Sequence, residues 1–167
     1  MASTIKTQYG TEAQGITITL ASLAASTVGV GRESTAVSNI TDVYLDVLVT
    51  IRIKTGASTP TSDKKVYIYA YGTVDSATPI WPDIVTGTDA GITLNNAGVT
   101  QLKLIGVIEA TVSTTTYTTN PMSIAQAFGG ILPEKWGIVI INSTGQTFDA
   151  TEGNFKKIFQ GIYAQSV

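Results

Sequence analysis

Two residue types are missing from this chain altogether, cysteine and histidine. Without cysteine there is no disulfide framework and no thiolate to act as nucleophile or metal ligand. Without histidine the Ser-His-Asp and Cys-His triads, histidine-based zinc sites and the most usual general base near neutral pH all fall away. Charge is also scarce: 13% of the 167 residues are charged, against about 25% in ordinary domains. The ten basic and twelve acidic side chains leave a net charge of −2. The longest basic runs are the pairs Lys64-Lys65 and Lys156-Lys157. No cluster exists to neutralise phosphates, so a nucleic-acid partner is not expected. Apolar runs are short, far from the ~18 residues that span a bilayer. The opening "MASTIKTQYG" lacks the basic region and apolar block of a secretory signal. A soluble protein made in the cytoplasm, with no membrane partner, is the expectation.

What fills the space is threonine, about one residue in six, far above normal usage. Its branched Cβ is stiff at χ1 and suits a pleated surface, so the bias favours sheet. Hydrophobic residues make up 43% of the chain, and its length accommodates one domain with a substantial core. A surface poor in charge is less protected from self-association, which suits a subunit packed among neighbours.

Strand-like blocks alternate with turn clusters along the chain. The best patterned is "VYLDVLVTIRIK" over 43–54, with Val43, Leu45, Val47, Val49, Ile51 and Ile53 at every second position. At roughly 3.3 Å per residue it would run about 40 Å, twice the usual strand. "GASTPTSD" then reads as a turn, and "KKVYIYAYG" (64–72) as a returning strand in an antiparallel hairpin with it. "GITITL" (15–20) alternates, and the chain is extended again through 35–37. The region 73–98, with Pro79, Pro82, Gly87 and Gly91, reads as a loop with one short strand near 91–94. "TQLKLIGVIEA" (100–110) reads as a strand bulged at Gly106, and "TVSTTTYTT" as an edge strand. "PMSIAQAFGG" carries the single expected helix, near 123–128, with Ser123 as cap, Gln126 three residues on and Gly129 as terminator. "WGIVII" (136–141) reads as a strand buried on both faces, and 154–165 as a last strand. The pattern predicts an all-β antiparallel sandwich, a jelly roll, over 15–167, preceded by an N-terminal arm over 1–14.

Catalytic chemistry would have to rest on carboxylates alone. Asp42 and Asp46 would lie on one strand face about 13 Å apart, outside the roughly 5 to 9.5 Å that glycosidase pairs use. Asp149 and Glu152 with Asn154, in "FDATEGN", could offer oxygen to a calcium ion, but read first as turn residues capping local backbone. "GVGRES" (29–34) lacks the third glycine of a dinucleotide loop and the Lys-Ser/Thr of a P-loop. Arg32 and Glu33 within it read as a local or intersubunit ion pair. No catalytic, metal or cofactor residue is assigned. Two glycosylation sequons begin at Asn39 and Asn142; with no secretory signal, neither is expected to carry a glycan.

The remaining candidates are contact residues. Tyr67, Tyr69 and Tyr71 share one strand face, with Trp81 in the loop beyond. Such a row packs against a neighbouring layer, anchors a protein interface or stacks on sugar rings. Trp136 reads as a plug at one end of the sandwich. Ile5 and Tyr9, in the polar arm before the first clear strand, could order on a neighbouring subunit.

Four blocks taken together carry a resemblance: "MASTIKTQYGT", "VGRESTAVSN", "AFGGILPEKWGIVIINSTG" and "FDATEGNFKKIFQGIYAQ". The chain resembles small proteins encoded beside the major capsid protein in the structural modules of tailed bacteriophages. That resemblance implies a non-enzymatic virion component, a capsid decoration (cement) protein at the head surface. Its implied partners are the major capsid protein, other virion subunits and further copies of itself. A tail or neck component and a carbohydrate-binding sandwich are the alternatives. The resemblance brings no catalytic residue.

Overall fold

The computed structural model describes residues 4–25, 29–61, 63–94 and 96–166, so residues 1–3 of the expected arm and Asn95 of the expected 73–98 loop lie outside the described residues. Among the described residues, two antiparallel six-stranded sheets face one another. The first holds β1 (Ile5–Tyr9), β2 (Gln14–Gly15), β5 (Asp46–Lys54), β9 (Thr116–Thr118), β10 (Met122–Ser123) and β12 (Lys156–Ser166). The second holds β3 (Val30–Glu33), β4 (Val37–Ser38), β6 (Lys65–Thr73), β7 (Ala90–Thr93), β8 (Lys103–Glu109) and β11 (Lys135–Ser143). Strand order is β1-β12-β5-β10 in the first, with β2 beside β12 and β9 beside β5. It is β7-β3-β11-β6-β8 in the second, with β4 beside β11. Helices are α1 (Asn96–Gln101) and α2 (Ile124–Ala127). The all-β sandwich expected from the sequence is what the chain forms.

The alternation of β5 and β6 builds the core. Val47, Val49, Ile51 and Ile53 point inward from one sheet, and Val66, Ile68 and Ala70 from the other. Each of these valines and isoleucines contributes about 1.5–3 kcal/mol by leaving water. The two strands are therefore not the hairpin expected. They sit in different sheets, with their apolar faces opposed across the core. The connection between them is tied to other loops at the end of the sandwich. Thr55 Oγ1 donates to Val112 O (2.7 Å) and accepts the Thr115 N–H, and Gly56 N–H reaches Thr147 O.

The long strand is also shorter than its pattern. Val43 sits at φ 51, in the left-handed region a β-branched residue avoids. Asn39 holds both backbone groups of the next residue: its Oδ1 accepts the Tyr44 N–H (2.8 Å) and its Nδ2 donates to Tyr44 O (3.0 Å). Tyr44 turns inward instead, over Gly161, while Val43 and Leu45 stay exposed.

Several smaller expectations also change. Residues 16–20 alternate in burial, with Ile16, Ile18 and Leu20 inside, yet form no ladder beyond β2. The "GVGRES" segment is strand β3, and a second helix, α1, precedes β8. The bulge falls at Ile105, where the register steps from Ile68↔Gly106 to Tyr69↔Leu104. The arm's residues 5–9 pair with the C-terminal strand as β1. Ser123 caps α2 as read, accepting the Gln126 N–H at 3.0 Å, and Gly129 and Gly130 turn at positive φ.

The segment 74–102 is more than a loop. Residues on either side of edge strand β7 fold back over the outer face of the second sheet and close a second apolar cluster. Val85, Ile92 and Leu102 there meet Tyr71, Val139 and Ile141 from β6 and β11. This is why β11 is buried on both faces: Trp136, Ile138 and Ile140 serve the main core, and Val139 and Ile141 the cluster. Trp136 bridges the two sheets, its ring edge-on to Phe159 at 5.2 Å.

Candidate interaction surfaces

The acidic residues are engaged in holding backbone. Glu33, buried on the clustered face of β3, accepts the N–H groups of Thr86 and Gly87 and the Thr86 hydroxyl at 2.9–3.0 Å. It fastens the covering segment to the sheet. Arg32 points to the opposite face and pairs with Asp89, which also accepts the Thr19 N–H and hydroxyl. The two neighbours therefore do not pair with each other. Burial works against the Asp89 carboxylate, but the Arg32 and Thr19 hydrogen bonds outweigh it and hold its pKa below the usual range.

Asp149 and Glu152 serve separate donors. Asp149 accepts from Asn154 Nδ2 (2.7 Å) and the Thr151 N–H (2.9 Å), which lower its pKa, with Lys54 nearby. Glu152 accepts the N–H groups of Leu20 (2.9 Å) and Ala21 (2.7 Å) and pairs with Lys157. Asp149 caps local backbone as expected of this turn, whereas Glu152 holds the distant Leu20–Ala21 segment. Among the described residues no group of three acidic side chains is placed to hold a metal ion.

The tyrosine row divides. Tyr71 is fully buried; its hydroxyl donates to Ser34 O at 2.6 Å and its ring meets Trp81 edge-on at 5.4 Å. Burial pushes its phenol well above the ordinary tyrosine value. Tyr67 and Tyr69 stay half-buried, 6.5 Å apart. Tyr67 donates to Asp63 at 2.5 Å, and that bond pushes its pKa up to about 12. Tyr71 and Glu33, both proposed from sequence as contact residues, are thus interior, because the covering segment lies on their face. Four rings in an open row, as a sugar platform needs, are not presented. The sequon residues are likewise internal: Asn142 donates to Leu23 O and Gln146 O, and Asn39 is bound to Tyr44.

Among the described residues, the four most exposed large hydrophobic side chains fall on two surfaces. One is a groove of about 510 Å³ at the end of the sandwich, between the Gly72–Asp75 turn and the chain leaving α2, with Phe128, Ile131 and Pro133 on one wall and Val74 and Ile80 on the other. Val74, Ile80 and Ile131 are 83%, 79% and 77% exposed. Gly129 and Gly130, at φ 77 and 93, swing Ile131 outward after the helix. Sequence reasoning missed this surface, although "FGGI" held its signal: two glycines placing an aliphatic beyond a helix end. The other surface is β1, where Ile5 and Tyr9 are 74% and 61% exposed.

No protein-family profile, curated protein or solved structure matches this chain. No helix among the described residues is long and apolar enough to cross a membrane.

Proposed function

We propose that this chain is a non-enzymatic structural subunit of a tailed-bacteriophage virion, a decoration (cement) protein on the head surface that contacts the major capsid protein. The observation that carries the reading is the open apolar groove at Val74, Ile80 and Ile131. Contiguous exposed aliphatics of this kind mark contact surfaces on proteins that otherwise bury such residues. The sequence resemblance to proteins of phage structural modules supplies the partner. Covering each aliphatic is worth up to about 1.5–3 kcal/mol before the cost of association. Many copies on one particle add such modest contacts as avidity and stabilise the shell by mass action. The engagement of Glu33, Asp89, Asp149 and Glu152 in backbone fastening further supports a role without turnover.

The test is quantitative mass spectrometry of purified particles of the phage that carries the gene. Hundreds of copies per particle are expected, with loss from the particle in Ile131→Asp. A handful of copies would move the protein to the tail or neck. Absence from the purified particle overturns the reading.

A further inference from the structure

The N-terminal strand carries a second inference, independent of the virion reading. β1 pairs with β12 in unbroken register from Ile5↔Ser166 to Tyr9↔Ile162, and Gly10, next along, donates its N–H to Gly161 O at 2.8 Å. In an antiparallel ladder, opposed residues alternate between hydrogen-bonded and non-bonded pairs. Gly10 and Gly161 form a bonded pair, so Gln8 and Lys6 also bond across to β12. The N–H and C=O groups of Ile5, Thr7 and Tyr9 therefore point away from it, along a free edge.

The other edges are blunted in the ways native sheets use. β8 is bulged, β7 has four residues, and β9 and β10 have three and two. β1 pairs without a bulge, is free of proline and is guarded by the single charge of Lys6. The ribbon it forms with β12 also runs past the start of β5, which begins opposite Ile162. Two strands alone are marginal in water, so this projection gains most from a further strand.

The sequence of β1 is complementary to itself. Turned antiparallel about Thr7, "IKTQY" sets Thr7 opposite Thr7, Ile5 opposite Tyr9 and Lys6 opposite Gln8. No like charges meet, and the apolar residues pair with one another. The three outward-pointing residues fall together as bonded pairs in that same register, each pair exchanging both N–H···O bonds. A slip by one residue would set inward-bonded groups against outward ones. We propose that two copies of this chain join through β1, antiparallel about a two-fold axis at Thr7, making one continuous sheet across the pair.

Sedimentation velocity of the full chain tests this. A concentration-dependent monomer–dimer equilibrium is expected. Thr7→Pro should give monomer at all concentrations and melt like dilute, monomeric wild type, since the N–H it removes is not bonded to β12. The register is tested separately in this cysteine-free chain. Thr7→Cys places two thiols across the axis, with Cα atoms about 5.5 Å apart, within disulfide range. Its oxidative cross-linking should exceed that of Lys6→Cys by at least about tenfold, and this holds even if the proline variant does not fold. A wild-type monomer, a dimer that survives Thr7→Pro, or equal cross-linking at both positions overturns the proposal. None of these outcomes bears on whether the protein is found in particles.

Discussion

Gly137 lies directly beneath the ring of Tyr71: the two are opposed across β11 and β6, and a Cβ at 137 would collide with the phenol. The absent side chain lets the ring lie flat on the sheet, under Trp81 and within reach of Ser34 O. Gly137→Ala should therefore force the ring out of place and destabilise the fold by about 1–3 kcal/mol, as overpacking does. Tyr71→Phe keeps the ring and loses only the bond to Ser34, costing about 1 kcal/mol. Urea unfolding midpoints of the two variants check this ordering.

Glu33 is the clasp between the second sheet and its cover. Its carboxylate takes two backbone N–H groups and a hydroxyl from Thr86–Gly87. Glu33→Ala leaves those donors without their acceptor, at about 1.5–3 kcal/mol for bonds to a charged group. Glu33→Gln is also unfavourable, since its amide group turns a donor toward donors. Limited proteolysis should show faster cleavage over 82–89 in both variants, while the main core keeps its cooperative unfolding.

These two sites mark where the sequence stops being legible, since Tyr71 and Glu33 both read as contacts and both are interior. The two-residue period of 47–53 reports its inward residues correctly, because alternation marks which face is buried. By contrast, 66–70 alternates between two apolar faces and does not say which one meets the other sheet. Alternation could not report which strands lie side by side. Two apolar faces produce the same pattern whether adjacent in one sheet or opposed across a core, and so β5 and β6 were misread as a hairpin. The cover over 74–102 was missed because Ile84, Val85 and Leu94 follow no period. For the same reason Tyr67 and Tyr71, alike in sequence, differ in burial: the cover reaches one more fully than the other. The groove residues Val74, Ile80 and Ile131 are distant in the chain and meet only through the fold.

Acid should weaken the fold through Glu152. Burial raises its pKa, but Lys157 and the Ala21 and Leu20 N–H groups more than offset that, leaving it below the ordinary 4.5. A carboxyl depressed in the folded state adds stability above its unfolded value, and that stability is lost as pH falls through the folded value. Asp149 shifts in the same direction. Melting temperatures measured from about pH 7 to about pH 3 should fall along this limb. Glu152→Gln should start lower at neutral pH and fall less steeply, and an unchanged slope would count against the assignment.

The start of β5 offers the last test. Val43 is held at φ 51 because Asn39 grips both backbone groups of Tyr44, and its exposed side chain gains nothing in return. A left-handed conformation costs an L-residue roughly 1–2 kcal/mol, and glycine removes that cost while losing somewhat more entropy on folding. Val43→Gly should therefore be neutral or stabilising by up to about 1 kcal/mol. Asn39→Ala should be destabilising by about 1–3 kcal/mol, since it leaves two backbone groups without their partners. Thermal melts of both variants decide it. A Val43→Gly protein that melts well below wild type would show that 43–46 is held by the valine itself and not by the Asn39 clamp.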